Sequence, residues 1–115
     1  MGVHERSQDA YATLCQLYGD RHAQALMKVR GACCPNVARL ALAMGKSRAA
    51  VSAAHDYRIL ESLRGGYRKL MTACRNDGSV KRIVDSAGNG CRFKPWEVDT
   101  AVSVVLAIVD TNEGA

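Results

Sequence analysis

Apolar residues recur at helical spacing along most of the chain, and glycines interrupt the pattern. The clearest segment is 37–58, whose first half carries four apolar side chains three or four residues apart: Val37, Leu40, Ala41 and Met44. Gly45 follows at the point where the chain must turn, and a residue without a Cβ atom takes a positive φ angle at little cost. The pattern therefore predicts two helices joined at residues 44–47.

The second helix of this pair is predicted to begin at Ser47, whose hydroxyl can accept a hydrogen bond from an amide of the first turn. On its inner face, Val51 and Ala54 are expected to pack against the first helix. Its outward face is expected to carry polar and charged side chains: Ser47, Arg48, Ser52, and His55 or Asp56.

Segment 37–58 resembles the helix-turn-helix of DNA-binding transcriptional regulators. The features that carry the resemblance are the small Ala41 at the helix crossing, Gly45 in the turn, and the run Ser-Arg-Ala-Ala-Val-Ser at 47–52. Lys46 departs from the family pattern, which usually has an apolar residue at that position. The alternative is an ordinary helix hairpin with an alanine-rich packing seam.

The resemblance implies that the second helix lies in the major groove of DNA, with its N-terminal residues at base edges. Arg48 would be the main reader, because a guanidinium pairs in bidentate fashion with guanine O6 and N7. Ser47 and Ser52 would donate to a phosphate or a base, and His55 lies on the same face. Further basic residues are candidates for contacts with the phosphate backbone: Lys46, Arg39, Arg58, Arg64, Arg68 and Lys69.

Glycines and capping residues divide the N-terminal part into two further helices. One is predicted from near Ser7 to Gly19, and the other from Arg21 to about Arg30 with Asp20 as its N-cap.

Asn36 is a candidate N-cap for the helix that opens segment 37–58. Beyond that segment, Ile59 and Leu63 continue an apolar register until the glycine pair 65–66 breaks it. A helical apolar face then resumes with four residues: Tyr67, Leu70, Met71 and Cys74.

Residues 80–93 are left open between a helical turn and a short β-hairpin, because the alternation there is too short to decide. A basic hairpin there could contact the phosphate backbone as a wing does, although such a loop is more often only a connection. The segment 95–110 is predicted to be a helix, since Pro95 starts it and acidic residues follow in its first turn. Its apolar residues lie on nearly every side, which requires burial in the chain's own core or against a second copy. The residues expected in a homodimer interface are Trp96, Val102, Val105, Leu106 and Val109.

The 115 residues are expected to form one small, mostly α-helical domain. The net charge of +5 is unevenly distributed, because residues 46–94 hold 11 Lys and Arg against 4 Asp and Glu. Residues 95–115 hold four acidic residues and no basic one. A basic middle that includes the proposed recognition helix is expected for a polyanionic partner. The alternative is a basic face that is merely solvated.

Five cysteines in a chain with no apparent export signal indicate reduced thiols in a cytoplasm. Their spacing includes no Cys-x-x-Cys and no paired histidines, so neither a metal nor another cofactor is expected. The glycine clusters at 65–66 and 88–90 lack the Lys-Ser/Thr of a phosphate-binding loop, and no enzymatic site is expected. The apolar C-terminal segment is too short to span a bilayer, so no membrane partner is expected.

The chain is therefore predicted to bind double-stranded DNA sequence-specifically and to regulate transcription as a dimer, in the manner of phage or mobile-element proteins. A fainter resemblance to phage late-gene antitermination proteins rests on the order of elements around 37–58, and it implies binding to RNA polymerase. The other class left open is a small adaptor or inhibitor that binds an acidic protein partner. Exposure of Arg48 and Ser52 on a protruding helix would favour DNA.

Overall fold

The computed structural model describes residues 3–60, 65–85 and 93–113, and within these ranges the chain forms seven helices and no strand. The mostly α fold class predicted from the sequence is confirmed. The helices are α1 (Val3–Tyr18), α2 (Asp20–Leu26), α3 (Pro35–Gly45), α4 (Arg48–Leu60), α5 (Gly66–Asn76), α6 (Gly78–Asp85) and α7 (Pro95–Glu113). Helix α7 packs against α2, α3 and α4, while α5 lies between α4 and α6.

Glycine ends α1 as predicted, but α2 is shorter than the sequence pattern suggested. Gly19 has a φ angle of 90° and is itself the N-cap of α2, in place of Asp20. The chain leaves α2 at Leu26 and turns towards Gly31, which has a φ angle of 91°. A Cβ atom on Gly31 would lie 3.4 Å from Thr100 Cγ2, so the loop packs closely on α7. The residues that were predicted to continue α2 to Arg30 instead belong to this loop.

The connection between α3 and α4 differs from the predicted turn. Gly45 is the last residue of α3 and does not adopt a positive φ angle. The amides of Lys46 and Ser47 donate to the carbonyls of Ala43 and Met44 over 3.3 and 3.0 Å, and Lys46 has φ −90° and ψ −4°. A tight right-handed turn therefore joins the helices, and the predicted left-handed glycine is wrong.

We expect Gly45→Ala to raise the free energy of unfolding by about 0.4–1 kcal/mol, because alanine restricts the unfolded chain and fits a helical φ. A Cβ atom at Gly45 meets nothing within 4 Å. The matched control is Gly19→Ala, which is equally unobstructed but has φ 90° and ψ 155°. That change should lower the free energy of unfolding by about 1–3 kcal/mol. Urea denaturation measures both, and equal destabilisation by the two variants would contradict the right-handed turn.

Helix α4 turns its alanines, rather than its valine, towards the core. Ala50 and Ala54 are fully buried, whereas Val51 is half-buried at the edge of the core. Ile59 does not continue an apolar face as predicted, because its side chain is 77% exposed. Tyr57 donates to Asp99 Oδ1 over 3.2 Å and thereby joins α4 to α7.

Gly65, with φ 93°, precedes α5 and confirms the predicted break.

Segment 80–93, which the sequence left open between helix and hairpin, begins as a helix. Asp77 then caps α6, since its Oδ1 accepts from the amides of Ser79 and Val80 at 3.0 and 3.3 Å. Helix α6 therefore replaces the first strand of the hairpin, and residues 86–92 lie outside the described part of the chain.

The start of α7 is fixed by a buried carboxylate. Glu97 is 7% exposed and accepts the Lys94 amide at 2.7 Å, which completes half of a capping box. Its other oxygen accepts from the side chain of Asn36 at 3.1 Å, so Asn36 joins α3 to α7 instead of capping α3. Cys34 precedes Pro35 in the N-cap position of α3. The side chains of Glu97 and Asn36 thus align the two helices.

Two of the residues expected in a dimer interface belong to the core of the chain itself. Val102 and Val105 are 0% and 1% exposed, because α7 is covered by α2, α3 and α4. Their assignment to an intermolecular interface is therefore wrong. Leu106 and Val109 are half-buried, and Trp96 is 49% exposed. Within the described residues, no helix is both long and apolar enough to cross a membrane.

Candidate functional site

The first half of α4 presents an exposed polar face. Arg48, Ser52 and His55 follow one another at helical spacing on that face, and all three are exposed. Together with Lys46 they line an open concavity of about 400 Å³, in which Asp56 is the acidic residue. Four residues predicted from the sequence as a DNA-contacting set therefore share one surface, which we call the α4 face.

Ser47 does not belong to the α4 face. Its side chain is 4% exposed, and its hydroxyl accepts from the amide of Ala50 at 3.2 Å. The N-cap role predicted for Ser47 is confirmed by this bond. The same bond and burial contradict its outward orientation, because a hydroxyl that caps α4 from inside the fold is not available to a ligand.

A groove of about 420 Å³ runs between α4 and α5 beside the α4 face. Ser52 and Asp56 line both surfaces, and Lys69 projects from α5 into the groove. Its other lining residues are mostly small, namely Ala49, Ala53, Gly66 and Ala73 together with Tyr57. Lys69 thus lies next to the α4 face.

A second groove, of about 520 Å³, also borders the α4 face and lies between α3 and α6. Three cationic side chains line it: Arg39, Lys46 and Arg82. Lys46 also lines the α4 face, so the two surfaces are continuous. Arg82 was not among the site residues predicted from the sequence, which considered a phosphate contact there only for a basic hairpin. In the structure Arg82 lies on helix α6. We call this surface the α3–α6 groove.

The other residues predicted to contact the phosphate backbone of DNA lie elsewhere. Arg68 lines a separate cleft with Arg75, Tyr67 and Phe93. Arg58 donates to the hydroxyl of Ser103, so its guanidinium is directed towards α7. Arg64 lies outside the described residues. The basic residues predicted from the sequence therefore do not form one surface.

Comparison with known proteins does not assign a family. No family model, curated protein or solved structure matches the chain. The surfaces around α4 are therefore interpreted from their own chemistry.

Cys15, Cys33 and Cys74 have the properties of packed thiols. Burial raises the pKa of Cys74 to about 11, and burial likewise raises the pKa of Cys15 and Cys33. A thiol with a raised pKa is protonated near neutral pH and is a poor nucleophile. No group of three His, Cys, Asp or Glu side chains among the described residues is arranged to hold a metal ion.

The raised pKa of Cys74 predicts a loss of stability at alkaline pH. The unfolded thiol titrates near 9.0 and the folded thiol near 11, so above pH 9 the unfolded chain binds fewer protons than the folded one. We expect the free energy of unfolding to fall as pH rises from about 9 to about 11. Burial raises the pKa of Tyr18 to about 12, which extends the decline.

Cys74→Ala isolates the contribution of the thiol. Below pH 8 the difference in stability between wild type and variant reflects packing alone. Between pH 9 and 11 the difference should shrink by about 1–3 kcal/mol, because only wild type loses stability through this group. Chemical denaturation at each pH measures the difference, and parallel curves for the two proteins would contradict the prediction.

Proposed function

We propose that the chain binds double-stranded DNA through the α4 face and acts as a transcriptional regulator. The observation that carries the proposal is the exposure of Arg48, Ser52 and His55 along one side of α4, while Ala50 and Ala54 anchor its other side. A helix held in this way can enter the major groove and bring its polar side chains to base edges.

The chemistry of the α4 face suits this role. Arg48 at the start of the helix is able to bind guanine through two parallel hydrogen bonds, and Ser52 and His55 offer further donors. Lys46 precedes the helix and is placed for a phosphate contact, which offers a reason for a lysine in the turn. Lys69, across the neighbouring groove, extends the cationic surface.

Sequence specificity in a short helix is increased when a two-fold dimer reads two half-sites. With Val102 and Val105 in the core, the residues that remain for such an interface are Trp96, Leu106 and Val109. We assign the dimer contact to the exposed parts of these three side chains.

A second candidate function is an adaptor or inhibitor that binds an acidic protein, including RNA polymerase in the manner of an antiterminator. The observation in its favour is Ile59, which is 77% exposed and lies in line with Arg48, Ser52 and His55. Burial of this side chain by a protein partner would be favourable, because it removes apolar surface from water.

The test is selection of binding sites by the wild-type protein from a pool of random duplexes, followed by affinity measurements across a salt series. DNA binding predicts an enriched sequence and an affinity that falls steeply between about 50 and 200 mM salt. Binding without enrichment would contradict sequence specificity. An absence of binding at low salt would remove the proposal, and retention of RNA polymerase on the immobilised protein would then support the second candidate.

A further inference from the structure

The α3–α6 groove carries three cationic side chains, and the one acidic side chain that lines it balances only part of their charge. In the described part of the chain, Arg39, Lys46 and Arg82 form no ion pair. The acidic residue that lines the groove is Asp77, and one of its oxygens already accepts two amides at the start of α6. The groove therefore holds three cations against one carboxylate, which leaves an excess of two positive charges, and the carboxylate is held at the start of α6 by its two amides.

Lys81, the residue that precedes Arg82 on α6, has a different environment. The ammonium of Lys81 lies 3.0 Å from Asp85 Oδ2, and Arg75 Nε lies 3.8 Å from the other oxygen of the same carboxylate. Lys81 and Arg75 therefore share one carboxylate, whereas Arg82 has no ion-pair partner in the described part of the chain. Because Lys81 and Arg82 are adjacent and both exposed, position along α6 decides which of them is available to an anion.

We infer that the α3–α6 groove binds a phosphate of the DNA backbone, with Arg82 and Arg39 as its main ligands. The inference rests on the proposed function and assigns a second element, α6, to the interface. Lys46 lines both the groove and the α4 face, so a phosphate held there lies beside the bases that α4 reads. Contacts of this kind fix the register of a helix on the duplex without selecting its sequence.

The first arm of the test compares Arg82→Gln with Lys81→Gln, which remove the same charge from neighbouring positions. Arg82→Gln should weaken binding on the order of tenfold and reduce the salt slope by about 1, equally for specific and unrelated duplexes. Lys81→Gln should change affinity by less than about twofold, because its charge is already paired. Equal effects of the two variants would overturn the groove as a phosphate site.

The second arm uses inorganic phosphate and does not depend on duplex binding. Phosphate added to the isotope-labelled wild-type protein should shift the amide resonances of Lys46 and Arg82 more than chloride does at the same ionic strength. Arg82→Gln should lose the difference, and Lys81→Gln should keep it. Identical shifts with phosphate and chloride would overturn the inference.

The two arms separate the inference from the proposed function. If the protein binds duplex DNA and Arg82→Gln and Lys81→Gln have equal effects, the groove is ruled out as a phosphate site, while DNA binding by the α4 face still stands. Phosphate-specific shifts without duplex binding at low salt would remove the proposed function and the DNA role of the groove, and would leave an anion site.

Discussion

Replacement of Val102 by Ala is expected to lower the free energy of unfolding by about 2–3 kcal/mol, since it removes two buried methyl groups and leaves a cavity. Val102 is 0% exposed in the middle of α7, the helix that α2, α3 and α4 surround. Val102→Asp should prevent folding at neutral pH, because a carboxylate at that position would have no partner. Urea denaturation followed by circular dichroism measures both.

The matched control is Ile108→Ala, which removes a larger but half-buried side chain from the same helix, at a position outside the proposed dimer contact. Its effect should be smaller, about 1 kcal/mol, because water already reaches part of that side chain. The dependence of the unfolding midpoint on protein concentration should be the same for Val102→Ala and for the wild type. A concentration dependence that Val102→Ala weakens would return Val102 to an interface between copies.

The sequence pattern predicts that α7 is buried but does not say against what. Apolar residues on nearly every side require cover, and two kinds of cover, the chain itself or a second copy, satisfy the same pattern. The choice depends on long-range packing, which the linear pattern does not contain. The burial of Glu97 was missed for the same reason, since its partner Asn36 lies 61 residues away in the chain.

The turn after α3 shows a different limit of sequence patterns. A glycine between two helices is expected both at a left-handed cap and in an ordinary tight turn, so its presence does not specify φ. In the structure Gly45 lies in an ordinary tight turn. Among the described glycines, positive φ angles occur at Gly19, Gly31 and Gly65. Helix boundaries were therefore easier to predict than the geometry that joins them.

The candidate site was predictable to the extent that it lies on one helix. The period of 3.6 residues brings Arg48, Ser52 and His55 to one face without any tertiary information. Arg82 joins the site only because α6 packs against α3, and no local pattern encodes that contact. Ser47 was assigned two roles, and its burial leaves only the cap.

Replacement of Arg48 by Ala is expected to abolish preference for the selected sequence at one guanine position, a loss of about 1–3 kcal/mol in discrimination. The physical reason is that a bidentate guanidinium bond is made with guanine and not with the other bases. Fluorescence anisotropy with the selected duplex and a scrambled duplex measures the discrimination. Arg21→Ala is the charge control, because Arg21 is exposed on α2, which packs against α1 and α7.

Arg48→Lys separates readout from charge at the same position. Lysine keeps the positive charge but lacks the planar fork, so binding to the scrambled duplex should remain near the wild-type level. Binding to the selected duplex should fall almost to that of Arg48→Ala, since the second parallel hydrogen bond is lost. If Arg48→Lys instead retained full sequence preference, Arg48 would act as a phosphate contact. Base reading would then have to rest on Ser52 and His55 alone.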